Sequence, residues 1–462
     1  MTTRIYIYVI IPAVGMSRGN IINKGEMKNT KDTGNNSAKG AGNDKGSGNN
    51  TATDPVNNKE NGNSNSKVPV MKGAVAVNFT FLVIYLAGLS AFGSFVNDMF
   101  TPSLPSMTRW FDCSASTVQL GLTMGMIGLG LGQILLGPVS FKYGRKPVLV
   151  GSIVLFIIAA VISIFSPTIE YFLICRIFQG IGASGGYFLA RTIPADVYGG
   201  RALAKCMAVM GAINGFAPAC APILGGFVSE RFSWRGVFVV LSIFAVILLC
   251  ISPRLKETLP KSKRPTGSIW HNFKNYPMLL KNKPFMAHVL FKGAALGLLF
   301  AYISSAPFIF QDHYGWSQVE YGLFIGFNAV FVVTGSMLSL KFRPLKKAAF
   351  IGAVGVAVSV VAIAVALWTI ESFWLYEILL WPMLFSLGMI FTVTNTLAMN
   401  EGRATAGAAS ALLGVIGYIF GAVAAPLVGV GNILHSTAIG LAALGLLTLL
   451  FALRSRKIAP DL

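Results

Sequence analysis

The chain of 462 residues is 54% hydrophobic and only 12% charged, with a mean hydropathy of +0.65. Soluble domains carry about a quarter charged residues, so the composition excludes a soluble, fibrous or disordered protein for most of the length and leaves a polytopic membrane protein. The 37 Lys and Arg outweigh 17 Asp and Glu, giving +20, but they sit in short gaps between apolar stretches, which fits membrane topology rather than nucleic-acid binding.

Residues 1–75 form an N-terminal tail unlike the rest. The apolar run Ile5–Val14 is too short for a bilayer, which needs about 20 residues. It is followed by an Asn-, Gly-, Ser- and Lys-rich tract, such as Gly46-Ser47-Gly48-Asn49-Asn50, with too little apolar surface to offset its ordering entropy. The tail is therefore expected to be disordered. Its first residues fit either a cleaved signal peptide or an extension, with Met71 as a start just before the first span.

Twelve apolar segments of spanning length follow, at 76–100, 115–140, 147–166, 170–193, 202–228, 234–252, 286–310, 318–340, 347–368, 373–398, 404–430 and 434–453. Residues 253–285 form a basic linker that divides the body into six-helix bundles over 76–252 and 286–455, and 456–462 are a C-terminal tail. Counted over alternate loops, twenty-one Lys and Arg fall on one side, against Arg109, Arg231 and Arg235 on the other. The positive-inside bias places both termini in the cytoplasm. Ala221-Pro222-Ile223-Leu224-Gly225 in span five matches Ala425-Pro426-Leu427-Val428-Gly429 in span eleven. A shared offset of this kind indicates a duplicated unit, as in carriers that rock one half against the other.

Four of the five cysteines (Cys175, Cys206, Cys220, Cys250) lie in apolar runs and Cys113 does not, and none has metal-type spacing. No disulfide, metal or cofactor is expected.

Several stretches carry a resemblance. Gly137-Pro-Val-Ser-Phe-Lys-Tyr-Gly144-Arg145-Lys146-Pro147 resembles the loop between helices two and three of the major facilitator superfamily. Arg176-Ile-Phe-Gln179-Gly180 resembles its fourth-helix motif, and Gly211-x3-Gly215 with Pro222-x2-Gly225-Gly226 resembles the fifth-helix motif of drug antiporters. Asn97-Asp98-Met99, Gly132-Gln133, Arg191 in Ala190-Arg191-Thr-Ile-Pro-Ala-Asp196, Tyr302-Ile-Ser-Ser-Ala-Pro307 and Tyr321-Gly-Leu-Phe-x-Gly326-x-Asn328 are similar to the bicyclomycin and chloramphenicol resistance (Bcr/CflA) family of proton-coupled exporters. The resemblance implies an all-α fold of twelve transmembrane helices in two pseudo-symmetric bundles, working as a monomer in the cell membrane. It also implies a drug-like small molecule and protons as its partners. One departure stands out: the family loop has Asp-Arg where this chain has Phe141-Lys142, so the family's acid gate is not assigned.

Charge within hydrocarbon is costly, so each such residue is a functional candidate. Asp98, in the outer half of span one, is either a helix-end carboxylate in water or a cavity acid that exchanges protons or binds a cationic drug. Arg176 either binds backbone carbonyls or biases that acid's protonation; Arg191 and Lys292 can snorkel, and Glu377 near the outer end of span ten is expected to reach water. Tyr302, Asn214, Asn328 and Asn395 could line a mixed cavity or make interhelical hydrogen bonds. Gly121, Gly125, Gly128 and Gly132 are spaced for close helix packing.

A proton-driven drug exporter is therefore the leading expectation. The absence of a Gly-x4-Gly-Lys-Ser/Thr segment argues against direct ATP drive. The alternatives are a metabolite carrier, for a sugar, amino acid or siderophore, and an integral membrane enzyme. The last would want clustered chemistry, whereas His271, His288, His313 and His435 lie far apart.

Overall fold

The computed structural model describes residues 79–264 and 275–458. The expected tail over 1–75, the start at Met71, the middle of the linker and the last residues of the chain lie outside the described residues. Regular structure among the described residues is helical: α1 (Phe79–Asp98), α2 (Leu104–Phe111), α3 (Ala115–Tyr143), α4 (Arg145–Ile164), α5 (Ile169–Val197), α6 (Gly200–Ile251), α7 (Asn275–Lys281), α8 (Lys283–Pro307), α9 (Gln318–Ser339), α10 (Leu345–Thr369), α11 (Phe373–Glu401), α12 (Ala406–Leu427) and α13 (Ile433–Ile458). A π-helical turn, Phe308–His313, continues α8.

Among the described residues, eleven elements are long and apolar enough to cross a membrane. The twelfth span is inside α6, whose 52 residues would reach about 78 Å if straight, against about 30 Å of hydrocarbon. The helix is broken at Phe232 and Ser233, where Ser233 has φ +62°. Contacts to α1 show that it folds back. Ser90 donates to Asn214 at 2.6 Å and Tyr85 donates to the Leu248 carbonyl at 3.2 Å. A straight α6 would hold Asn214 and Leu248 about 50 Å apart, yet their partners are little more than a turn apart on α1.

Polar side chains stop the helices where the apolar runs end. Ser114 and Asn282 cap α3 and α8 by accepting from the backbone of Thr117 and Phe285. Ser317 and Glu320 form a reciprocal capping box at α9. Large apolar side chains such as Ile158, Phe165, Ile243, Val358 and Leu450 are exposed. That is the pattern of a surface solvated by lipid rather than water.

Because lipid tails are as apolar as leucine, these helices associate by close packing rather than by hydrophobic expulsion. A methyl placed on Gly128 would fall 2.2 Å from the Ile177 carbonyl oxygen, and one on Gly132 1.9 Å from Ser184 Oγ. The α3 glycines therefore let α5 approach backbone to backbone. The two halves meet through two equivalent seams. In one, Gly226 of α6 abuts the Gln318 carbonyl at the start of α9 and Gly322 abuts the Pro222 carbonyl. In the other, Gly429, just after α12, abuts Gln119 of α3. Thus the fifth span packs on the eighth and the eleventh on the second, the relation expected of a duplicated six-helix unit.

We call the membrane face bearing Lys142, Arg145 and Lys146 the basic face. At the opposite face the halves are joined: Arg109 pairs with Asp312 at 3.1 Å, Gln311 donates to the Pro102 carbonyl at 2.9 Å, and Glu230 accepts from Val319 N–H at 3.0 Å. Deeper, Gln119 donates to the Ser304 carbonyl and Thr123 to the Ala422 carbonyl. At the basic face, the Arg145–Asp196 ion pair and the His288–Ser455 hydrogen bond each lie within one half. The molecule is closed at the opposite face.

Candidate functional site

In the N-terminal half, Arg176 on α5 is fully buried. Its Nε donates to the Gly121 carbonyl at 3.1 Å, and Nη1 donates to the Val96 carbonyl at 3.0 Å and to Gln179 at 2.9 Å. The Phe100 ring lies 4.3 Å from the guanidinium carbon. Val96 stands in the last turn of α1, whose carbonyls lack intrahelical donors, so a cation there meets both the free acceptors and the negative helix end. Gln179 passes the chain on to Ser163 of α4 at 2.9 Å. Arg176 thereby ties α1, α3, α4 and α5 together.

Asp98, the last residue of α1, is buried rather than in water. Its carboxylate accepts from Asn97 at 3.2 Å, and its backbone carbonyl accepts from Thr101 at 2.8 Å. It lies within electrostatic reach of Arg176, but the guanidinium directs its hydrogen bonds to carbonyls and Gln179 instead of forming a direct ion pair. Arg176 Nη2 and Asn97 Oδ1 remain buried without partners, both facing Gly125.

In the C-terminal half, Tyr302 of α8 and Asn328 of α9 do not line an open cavity. Asn328 donates to Glu377 at 3.0 Å and to the Tyr302 hydroxyl at 2.9 Å, and accepts from Trp381 at 3.1 Å. Glu377 is 0% exposed, which corrects the expectation that it reaches water. Although it stands in the second turn of α11, an aromatic layer covers it. Phe373 packs against Phe310 at 5.1 Å and Trp316 at 4.4 Å, and Phe310 packs against Tyr321 at 5.6 Å.

The other polar candidates lie apart from both clusters. Asn214 accepts from Ser90 in the α1–α6 seam. Asn395 is exposed on α11 and accepts from Lys292 at 3.0 Å. Arg191 packs over the Tyr187 ring at 4.2 Å and donates to its hydroxyl at 2.5 Å. Lys292 and Arg191, one from each half, lie within electrostatic reach of each other and are only half-buried.

Gly137, Gly144, Arg145 and Lys146 sit toward the basic face. Gly144 has φ +107°, a region that favours glycine, and a Cβ there would stand 2.4 Å from Glu257 Oε2. That space lets the Glu257 carboxylate close the positive end of α4, accepting from Arg145 N–H at 2.9 Å and Lys146 N–H at 3.2 Å. Arg145 pairs with Asp196 at 2.9 Å and donates to Ser140 at 2.7 Å, while Lys146 Nζ donates to the Pro253 carbonyl. Gly137 faces Phe188, Gly180 packs on the Gly125 carbonyl, and Gly225 packs on the Met99 carbonyl.

Sequence reasoning misses Glu257 and Trp381 altogether; it names Asp196, Tyr321 and Glu377 but not the groups they meet. A signal for Glu377 is present: a lone acid flanked by aromatics in Trp374-Leu-Tyr-Glu-Ile-Leu-Leu-Trp381.

Residues 86–426 match the Major Facilitator Superfamily. The uncharacterized MFS-type transporter YdgK of Bacillus subtilis (strain 168) is 35% identical over 380 residues, covering 79% of this chain and 92% of its own. The bicyclomycin resistance protein homolog of Haemophilus influenzae is 27% identical over 368 residues, covering 76% and 89%. Among solved structures, the partially occluded inward-open conformation of the xylose transporter XylE from E. coli superposes with a TM-score of 0.65 at 17% identity, over 83% of this chain and 98% of that one. The last likeness speaks for the fold alone. The chain belongs to the major facilitator superfamily: it is a multi-pass transporter of the cell membrane, not an enzyme, and it resembles the bicyclomycin and chloramphenicol resistance group within that family.

Proposed function

We propose that this transporter exports drug-like small molecules in exchange for protons by alternating access, as a monomer with both termini in the cytoplasm. The observation that carries this reading is the buried Asp98, at the end of α1 and within reach of Arg176. A carrier that exchanges needs a group that holds the proton and the substrate at different times, and linkage then makes each expel the other. With the basic face inside, a closed opposite face suits a carrier that loads its drug from the cytoplasm. Relatives named for bicyclomycin and chloramphenicol resistance support the substrate class.

The test is transport by purified protein in liposomes under an imposed pH gradient, with ethidium and chloramphenicol as probes. Accumulation that collapses with nigericin is expected. Transport of neither probe under any gradient would overturn the reading.

A second reading, a metabolite carrier, is favoured by the facing cations Arg191 and Lys292. They suit a substrate bearing a carboxylate or another anionic group, and loss of organic-anion transport in Lys292→Ala would select it.

A further inference from the structure

We propose that Glu377 is a second proton-binding site, in the C-terminal half, communicating with Asp98 through the hydroxyl of Tyr321 across the seam between the halves. The inference rests on the proton-exchange reading above and adds where the second proton is held.

Three buried polar atoms lack partners in this region: Glu377 Oε1, the Tyr376 hydroxyl and the Tyr321 hydroxyl. Buried polar groups are otherwise almost always satisfied, so a run of unsatisfied atoms calls for an explanation. Each lies within electrostatic reach of the next. Tyr321 lies within electrostatic reach of Asp98 and beside Thr101 in one half, and of Tyr302 and Tyr376 in the other. Tyr302 and Tyr376 both lie within reach of Glu377.

The surroundings of Glu377 favour a proton over a metal or an organic cation. Facing it are Tyr302 from α8, Asn328 from α9, and Tyr376 and Trp381 from its own helix; Tyr321 and Tyr314 stand one layer out, beside Tyr376. Lys, Arg and His are absent from this set. A carboxylate with one oxygen unserved in an apolar interior is costly to keep charged. A proton on Oε1 removes the charge and turns the unserved acceptor into a donor.

Transfer along the path keeps the phenols neutral. Tyr321 gives its hydroxyl proton toward one carboxylate while accepting a proton from the other side, directly or through a bridging water. Only the two carboxyl groups change charge, one losing the proton that the other gains.

The same segment that seals Glu377 also closes the opposite face. Phe310 belongs to the aromatic cover, while Gln311 and Asp312, next to it on the π-helical turn, make the contacts to Pro102 and Arg109 in the other half. Opening that face therefore moves the cover. Glu377 would meet outside water only in the outward-open state, which is when an exporter must load its proton.

The experiment is infrared difference spectroscopy of the purified full chain on stepping pH, which needs no substrate. Two carboxyl signals are expected, one lost in Asp98→Asn and the other in Glu377→Gln. Should Glu377→Gln fail to fold, Asn328→Ala should shift the second signal and leave the first in place. An unchanged spectrum in either Glu377→Gln or Asn328→Ala overturns the proposal. Tyr321→Phe should keep both signals and slow pH-driven proton entry into liposomes by about tenfold or more; an unaltered rate removes Tyr321 from the path and overturns the coupling. If the wild type shows both signals but moves neither ethidium nor chloramphenicol, the exchange reading fails and the proton site stands.

Discussion

Arg145 and Asp196 are joined by a 2.9 Å ion pair at the basic face, and the Phe141 ring packs 4.1 Å from the same guanidinium. The acid that meets Arg145 thus comes from the end of α5 and not from position 141. Glu257 adds a second acid at the amino end of α4, bonded to Arg145 through its backbone. Arg145 is the cation beside which Phe141→Asp would place a carboxylate.

Asp196→Asn should lower the thermal unfolding midpoint in detergent, because Arg145 is 1% exposed and keeps only Ser140 and the Phe141 ring. The loss should be about 1–3 kcal/mol, less than for a fully buried pair since Asp196 is 19% exposed. Adding Phe141→Asp should restore part of it by placing a carboxylate beside the guanidinium. A double variant no more stable than the single one would show that the ring site cannot host the acid.

The second prediction concerns the closed face. Gly226→Ala puts a methyl 2.4 Å from the Gln318 carbonyl oxygen, at backbone that cannot yield easily. This should pry α6 from α9 and favour opening. A penalty of about 1–2 kcal/mol corresponds to a roughly 5–30-fold change in conformer ratio, readable as spin-label distances across that face. Arg109→Ala should do much less, since the Arg109 and Asp312 side chains are 67% and 43% exposed and such pairs are worth under about 1 kcal/mol. An equal effect of the two variants would place the closure in the ion pair rather than in the glycine seam.

How far the molecule can be read from its sequence differs by feature. Spans and the small-residue seams are one-dimensional signals, since a run of apolar residues or a glycine every fourth position survives without knowledge of neighbours. Even the break between spans five and six falls at Phe232–Ser233, inside the predicted gap. Partnerships are not local in this way. Arg145 reaches its acids 51 and 112 residues away, and Glu377 is hidden by aromatic rings from the π-helical turn and the loop before α9. Position along α11 alone puts Glu377 near water, and only the packing of α8 and α9 against it reverses that. Tyr302 and Asn328 read as cavity groups for the same reason: sequence shows a polar side chain in a span, not what it bonds.

The third prediction fixes orientation. Cys113, in the short loop after α2, should react with a membrane-impermeant maleimide added outside intact cells, whereas a cysteine at Ser262, exposed in the turn Lys261–Lys263, should not. Partial burial, then Glu170 and Asp112, push the Cys113 thiol above its usual range. The thiolate attacks the maleimide, so labelling should be slow near neutral pH and quicken as pH rises. The reverse pattern, with Ser262→Cys labelled from outside, would invert the topology.

The fourth prediction is that Asp98→Asn abolishes proton-driven accumulation while leaving the protein folded. The amide is nearly isosteric with the carboxylate and costs less to bury, and Asn97 can still donate to its oxygen. Arg176 keeps its bonds to Gly121, Val96 and Gln179, so the α1–α3–α5 junction should hold and the elution profile should stay monodisperse. What disappears is a charge that can be switched. Without it, a neutral drug should bind with an affinity that no longer varies with pH, and a cationic drug should bind more weakly. Drug-induced proton release from purified protein, with ethidium and chloramphenicol as probes, measures this directly: the wild type should release protons through Asp98, and the variant should lose that share. Equal release from both would mean that Asp98 is not the coupling acid, and the role would pass to Glu377 alone.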